Sequence, residues 1–174
     1  VGSEMCIRDS PAIGAAAAYG IALLASGIAG DQYDAFYSRF KELKDYLASS
    51  RPTAVNLFWA LNRMEAAVTA NKERDVTAIK ELLFEEADKI REEDIQISRG
   101  IGEIGFGLLK ELKKEGREIG ILTHCNAGTL ATAKYGTATA PMYIALEKGW
   151  PGTAMHVYCD ETRPLLQGCL LYTS

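Results

Sequence analysis

Near residue 117 the hydrophobic period of the chain changes, and that change limits the folds open to it. Before Gly116, apolar residues recur at spacings of three and four. After it, Ile119 to Thr123 is a short apolar run that reads as a buried strand, Gly128 to Lys148 has a helical pattern, and Ala154 to Cys159 is a second strand-like run. Strand, helix and strand in that order predict the opening of a right-handed parallel unit. The expected architecture is therefore α, then α/β: a helical domain over 11–117, followed by the start of a doubly wound parallel-sheet domain over 118–168.

The helical part divides into segments. Pro11 suits a first turn and opens an Ala- and Gly-rich helix that stops near Gly30. Asp31 stands as a cap before a helix carrying Tyr33, Phe36, Tyr37, Phe40, Leu43 and Leu47 on one face. A third helix starts at 51–70 with Pro52 near its first turn. Residues 74–99 form a long charged helix with Val76, Ile79, Leu82, Leu83, Ala87 and Ile90 aligned, and 102–116 form a shorter one. The uncharged stretch 11–30 is built of Ala and Gly rather than Leu, Ile and Phe, which favours a close-packing buried helix over a membrane span.

Composition narrows the function classes. The chain has 174 residues, 48% hydrophobic and 24% charged, with a net charge of −4, so it offers no basic face for nucleic acid. Two histidines, His124 and His156, without C-x-x-C or H-x-x-x-H spacing, give no support to a metal site. The ends, 1–10 and 169–174, share no periodicity with their neighbours and resemble translated adapter sequence, so they are set aside. Cys125 and Cys159 then remain, with no disulfide framework, which points to a reducing cytoplasm. Residues 11–168 are expected to be an internal fragment of a longer protein.

Several motifs invite chemistry. "GIGEIG" at 100–105 fits a dinucleotide pattern, but a charged helix precedes it where the mechanism needs a strand. Close helix packing is the better account of those glycines. "THCNAG" places Cys125, flanked by His124 and Asn126, at the carboxyl end of the first strand, where ligands of open α/β sheets collect. The backbone N–H groups of Ala127, Gly128 and Thr129 would open the following helix, favour an anion and lower a thiol pKa. Cys125 is equally a small side chain that fits a buried turn, and local sequence leaves both readings open. Arg51, at a helix start, could grip a phosphate or could be a solvated surface residue. Asp160, Glu161, Arg163 and Gln167 follow the second strand and reach the same edge. Asp160 and Glu161 are weak as an acid/base pair because adjacent side chains point apart. His156, inside the strand, reads as a packed core or dimer residue.

Taken together, "PAIGAAAAYGIAL", "RPTAVNLFWALNRM", "ISRGIGEIG", "ILTHCNAGTLATAKYGTA" and "VYCDETRPLLQG" resemble the S-methyl-5-thioribose-1-phosphate isomerases. Their superfamily also holds ribose-1,5-bisphosphate isomerases and regulatory subunits of a eukaryotic translation initiation factor. The resemblance covers nearly all of 11–168. It implies a Rossmann-like second domain and a cytoplasmic homodimer. The implied reaction converts 5-methylthioribose 1-phosphate to 5-methylthioribulose 1-phosphate in methionine salvage, without metal or organic cofactor. It also implies a catalytic role for Cys125, substrate contacts from Arg51 and Gln167, and a proton-donating aspartate in a later segment that this chain lacks. The family's phosphate-gripping Arg-Gly-Ala-Pro turn would end at Pro11, where this chain reads Arg8-Asp9-Ser10-Pro11. On those departures the chain as written is expected to be inactive. The alternatives are a ribose-1,5-bisphosphate isomerase and a non-catalytic regulatory subunit.

Overall fold

The computed structural model describes residues 10–160 and 162. Four helices come first: α1 (Pro11–Ser26), α2 (Tyr33–Ser49), α3 (Val55–Ala70) and α4 (Val76–Leu112). Strand β1 (Ile119–Thr123) follows, then a 3₁₀ turn (Thr129–Ala131), helix α5 (Ala140–Glu147), a second 3₁₀ turn (Gly152–Ala154) and strand β2 (Met155–Cys159). The contacts form two compact units, one ending at Glu92 and the other starting at Glu93, so α4 carries residues of both.

In the first unit the helical periods are realised as packing. Pro11 lies in the first turn of α1, where its missing N–H leaves no bond unmade. The small residues of α1 bring it close to α3: a Cβ on Gly14 would stand 3.2 Å from Asn56 O. Phe36 and Phe40 of α2, Leu61, Met64 and Val68 of α3, and Ile79, Leu83, Ala87 and Ile90 of α4 close one core, nearly all of it without solvent contact. Each large apolar side chain so buried contributes about 1.5–3 kcal/mol. Around the core, Tyr37 Oη donates to Glu65 Oε1 at 2.9 Å, Lys44 pairs with Glu65, and Arg63 Nε donates to Glu86 Oε1 at 2.7 Å. The Lys44 bond, helped by Tyr37 and set against burial, holds the Glu65 carboxyl below the ordinary range. Burial pushes Glu86 up, but the bonds from Arg63 and Lys89 outweigh it, and Glu86 is lowered too.

Two expectations for this part are corrected. Asp31 is not a cap: Gln32 occupies that position and no side chain bonds the first turn of α2. Nor does Arg51 open a helix, for α3 starts at Val55 and Arg51 lies in the turn before it, its carbonyl accepting from Ala54 N at 3.1 Å. Among the described residues no helix is long and apolar enough to cross a membrane.

The break expected between 99 and 102 does not occur, because α4 runs through it as one helix of 37 residues. A helical glycine costs about 1 kcal/mol, too little to stop a helix whose flanks are packed. Two of the glycines are needed for the approach of α5. A Cβ on Gly102 would stand 2.6 Å from Ile144 Cγ1 and 2.9 Å from Ala140 O, and one on Gly105 would stand 2.3 Å from Pro141 Cγ. The "GIGEIG" glycines thus lie in a helix, and two of them serve close packing.

The strands pair in parallel, in the register Ile119↔Met155 to Thr123↔Cys159. The connection differs from the sequence reading. The helix expected from Gly128 to Lys148 is reduced to the eight residues of α5, and 129–139 are a 3₁₀ turn and loop. Thr132, Gly136, Thr137 and Thr139 use their polar groups to fold that loop on itself rather than to wind a helix. β1 is also less buried than expected: Thr123 is enclosed while Leu122 is 74% exposed. His156 is exposed rather than packed in a core, its ring 4.6 Å from that of Tyr158.

Candidate functional site at the carboxyl edge of the sheet

The parallel register decides which residues meet beyond the strands. Thr123 and Cys159 form the last pair, and Asp160 N still donates to Thr123 O at 3.1 Å. The next side chains, His124 and Asp160, therefore face each other, with His124 Nδ1 3.0 Å from Asp160 Oδ2. Both are largely exposed, at 71% and 60%.

Cys125 comes directly after His124 and is half-buried. Its φ is +62°, a left-handed backbone that costs a non-glycine residue about 1–2 kcal/mol. Residues held in that region collect at functional sites when their surroundings over-determine them. Here the surroundings are visible. Asn126 Oδ1 accepts from Gly128 N at 3.4 Å, and Ala127 O accepts from Thr137 N at 2.9 Å. Thr139 Oγ1 lies 3.0 Å from Ala127 O and 2.9 Å from Tyr135 O. Gly136 fills the remaining space at φ +74°, where a Cβ would stand 2.4 Å from Ala127 O. The loop is anchored in turn. Ala133 N donates to Asp94, and buried Tyr135 accepts from Arg99 Nη1 at 3.2 Å while donating to Glu147 Oε1 at 2.9 Å.

The electrostatic argument for Cys125 loses its helix. The element after the cysteine is a three-residue 3₁₀ turn, whose dipole is small, and Gly128 N is engaged by Asn126. The thiol is distinguished by its strained backbone and its place beside the His124–Asp160 contact. Arg51 is half-buried and belongs to the unit ending at Glu92, whereas His124, Cys125 and Asp160 belong to the other. Gln167, Glu161 and Arg163 lie outside the described residues. Among the described residues no three His, Cys, Asp or Glu gather as a metal-holding group.

Sequence reasoning missed Gly136, Thr139 and Asp94 as supports of the cysteine turn. The run "KYGTAT" carried the signal: a glycine among small hydroxyl residues marks a turn more readily than a helix interior.

The sequence profile of the Initiation factor 2 subunit family matches residues 6–174. The chain belongs to that family. Among its relatives, the 5-deoxyribose 1-phosphate isomerase of Clostridium botulinum (strain Kyoto / Type A2) is 54% identical over 168 residues, 97% of this chain and 46% of the relative. The methylthioribose-1-phosphate isomerase of Symbiobacterium thermophilum is 52% identical over 165 residues, 95% of this chain and 44% of the relative. The chain thus spans less than half the length of these family members. Of solved structures, 5-methylthioribose 1-phosphate isomerase from Pyrococcus horikoshii matches with a TM-score of 0.80 and 40% identity, over 93% of this chain and 43% of that one. Translation initiation factor eIF-2B subunit delta from A. fulgidus matches with a TM-score of 0.76 and 43% identity, over 92% of this chain and 44% of that one. The family likeness bears out the expected fold class, a helical N-terminal domain followed by the start of a Rossmann-like parallel sheet.

Proposed function

We propose that the complete protein is an aldose–ketose isomerase acting on a ribose 1-phosphate altered at its 5-position, with Cys125 as a catalytic thiol. The observation that carries this reading is the held, left-handed Cys125 at the carboxyl edge of a parallel sheet, in a chain half identical to sugar-phosphate isomerases. A closed 1-phosphate is opened and hydrogen moves from C2 to C1, which requires proton exchange in a site that shields its intermediate. Arg51 and Gln167 are proposed to contact the substrate, in a cytoplasmic homodimer that needs no metal or organic cofactor.

The named relatives favour two substrates, 5-methylthioribose 1-phosphate, as in methionine salvage, and 5-deoxyribose 1-phosphate, which differ in what the 5-position carries. Ribose 1,5-bisphosphate is the third to compare, because it places a second phosphate there. Product formation from all three, using a protein of the relatives' full length that carries residues 11–168, tests the reading. Turnover of the methylthio sugar at a kcat/KM at least tenfold above the bisphosphate is expected. Absence of turnover with all three would leave the second reading, a non-catalytic binding subunit, which the likeness to the initiation-factor subunit supports. In the active protein, Cys125→Ser should lower turnover by a factor of about 10² or more, the usual scale for a lost acid/base group. Its melting temperature should be nearly unchanged, and near-normal turnover would return Cys125 to a packing role.

A further inference from the structure

The contact between His124 and Asp160 has features of a working pair rather than a strut. Both side chains are mostly exposed, a setting in which an ion pair does little to hold a fold together. The backbone bond from Asp160 N to Thr123 O already joins the two strand ends without them. Yet the register brings residues 36 positions apart within 3.0 Å, next to the cysteine whose backbone is held at φ +62°. A carboxylate only accepts, so the bridging hydrogen is carried by Nδ1. With Nδ1 turned to Asp160, Nε2 is the ring nitrogen left open to a substrate. His124 makes no other hydrogen bond among the described residues.

The geometry points to His124 as a proton-exchanging residue of this site, with Asp160 as the residue that positions it. The inference rests on the isomerase reading of the site. Opening a closed sugar 1-phosphate breaks the C1–O4 bond, and the electron pair goes to the ring oxygen, which takes a proton. The hydrogen on C2 crosses to C1 with its electron pair, and the C2 hydroxyl releases its proton as the carbonyl forms. The substrate is neither oxidised nor reduced overall. His124 Nε2 takes the C2 hydroxyl proton, and the resulting imidazolium rests against the Asp160 carboxylate. It then passes its proton to Cys125, whose thiol had protonated the ring oxygen, so both start the next cycle as they started this one. Asp160 acts only through the imidazole.

The test uses the same full-length protein and its best sugar phosphate. His124→Ala should lower kcat by about 100-fold or more, as for loss of a general base, with KM within about threefold. Added imidazole should restore at least about tenfold of that loss, which a structural residue would not allow. Asp160→Asn should lower kcat by about tenfold, and the double substitution should lose no more than His124→Ala alone, because the two act as a unit. His124→Gln is the second variant should alanine disturb folding, and a thermal melt accompanies each. A folded His124→Ala or His124→Gln protein with kcat within about threefold of the parent overturns the assignment, while loss of turnover in Cys125→Ser would keep the isomerase reading standing. A loss that imidazole does not restore, additive with Asp160→Asn, overturns it as well, by assigning the pair to structure. An unsubstituted protein inactive on all three sugars removes both the reading and the inference.

Discussion

The two compact units solve the same problem, burying apolar surface, by different means. The unit ending at Glu92 does it among neighbouring helices: Phe36, Phe40, Ile21, Leu61, Met64, Val68, Ile79 and Leu83 are all essentially without solvent contact. The unit starting at Glu93 has a small centre of Tyr135, Ala140 and Ile144, while Ile97, Ile104, Leu108, Leu112 and Leu122 are each more than half exposed. Its order comes instead from polar groups and tight backbone contacts: Thr139 on Ala127, Asp94 on Ala133, Tyr135 between Arg99 and Glu147, and Gly105 on Pro141. A helical core tolerates small errors of shape, whereas a turn built on single bonds at fixed positions does not. The candidate site lies in the unit built the second way.

That contrast can be attacked directly. The largest effect is expected from Phe40→Ala in the helical core, which should cost about 3–5 kcal/mol and collapse the thermal transition. A loss under about 1 kcal/mol would mean this core is not where stability resides. Next comes Gly136→Ala. It adds a left-handed penalty of about 1–2 kcal/mol to a Cβ 2.4 Å from Ala127 O, so turnover should fall more steeply than the melting temperature. Equal effects on both would show that the cysteine turn has no special functional tie to it.

A smaller effect separates two glycines of one helix. Gly105→Ala drives a Cβ to 2.3 Å from Pro141 Cγ and should destabilise by about 1–3 kcal/mol, less the helix-propensity gain. Gly107→Ala meets nothing within 4 Å and should stabilise by up to about 1 kcal/mol, so the two substitutions should shift the melt in opposite directions. The smallest expected effect is the acid response. Glu65 and Glu86 are both held below the ordinary carboxylate range, so their contribution is present above that range and fades as pH falls through their lowered values. Glu65→Gln together with Glu86→Gln should flatten the stability profile below about pH 4.5, and an unchanged profile would show that other carboxylates dominate.

Much of this was legible in the sequence. The three-and-four spacing of Phe36 and Phe40, and of Ile79, Leu83, Ala87 and Ile90, names the buried faces because side-chain direction in a helix follows from chain position alone. The apolar runs at Ile119–Thr123 and Met155–Cys159 announce the strands, and the helical stretch between them is the crossover that a parallel pair needs. Less legible was the helix through Gly100, Gly102 and Gly105, since local propensity reads glycine as a stop. The fit of two of those glycines against Ile144 and Pro141 gives them a different use. The overlong helix at 128–148 is the opposite error: a permissive run of small residues whose hydroxyls closed a loop instead.

By itself the sequence determined the helical character of the first part, the two strands of the parallel unit and the order of motifs that carries family membership, because these depend on patterns local to each segment. Only the tertiary structure decided that Cys125 takes a left-handed backbone and that His124 meets Asp160. The first follows from bonds that Thr137 and Thr139 make to Ala127, and the second from a strand register that no local preference encodes. Both depend on residues distant in the chain arriving at one sheet edge, and that arrival is fixed by packing rather than by neighbouring sequence.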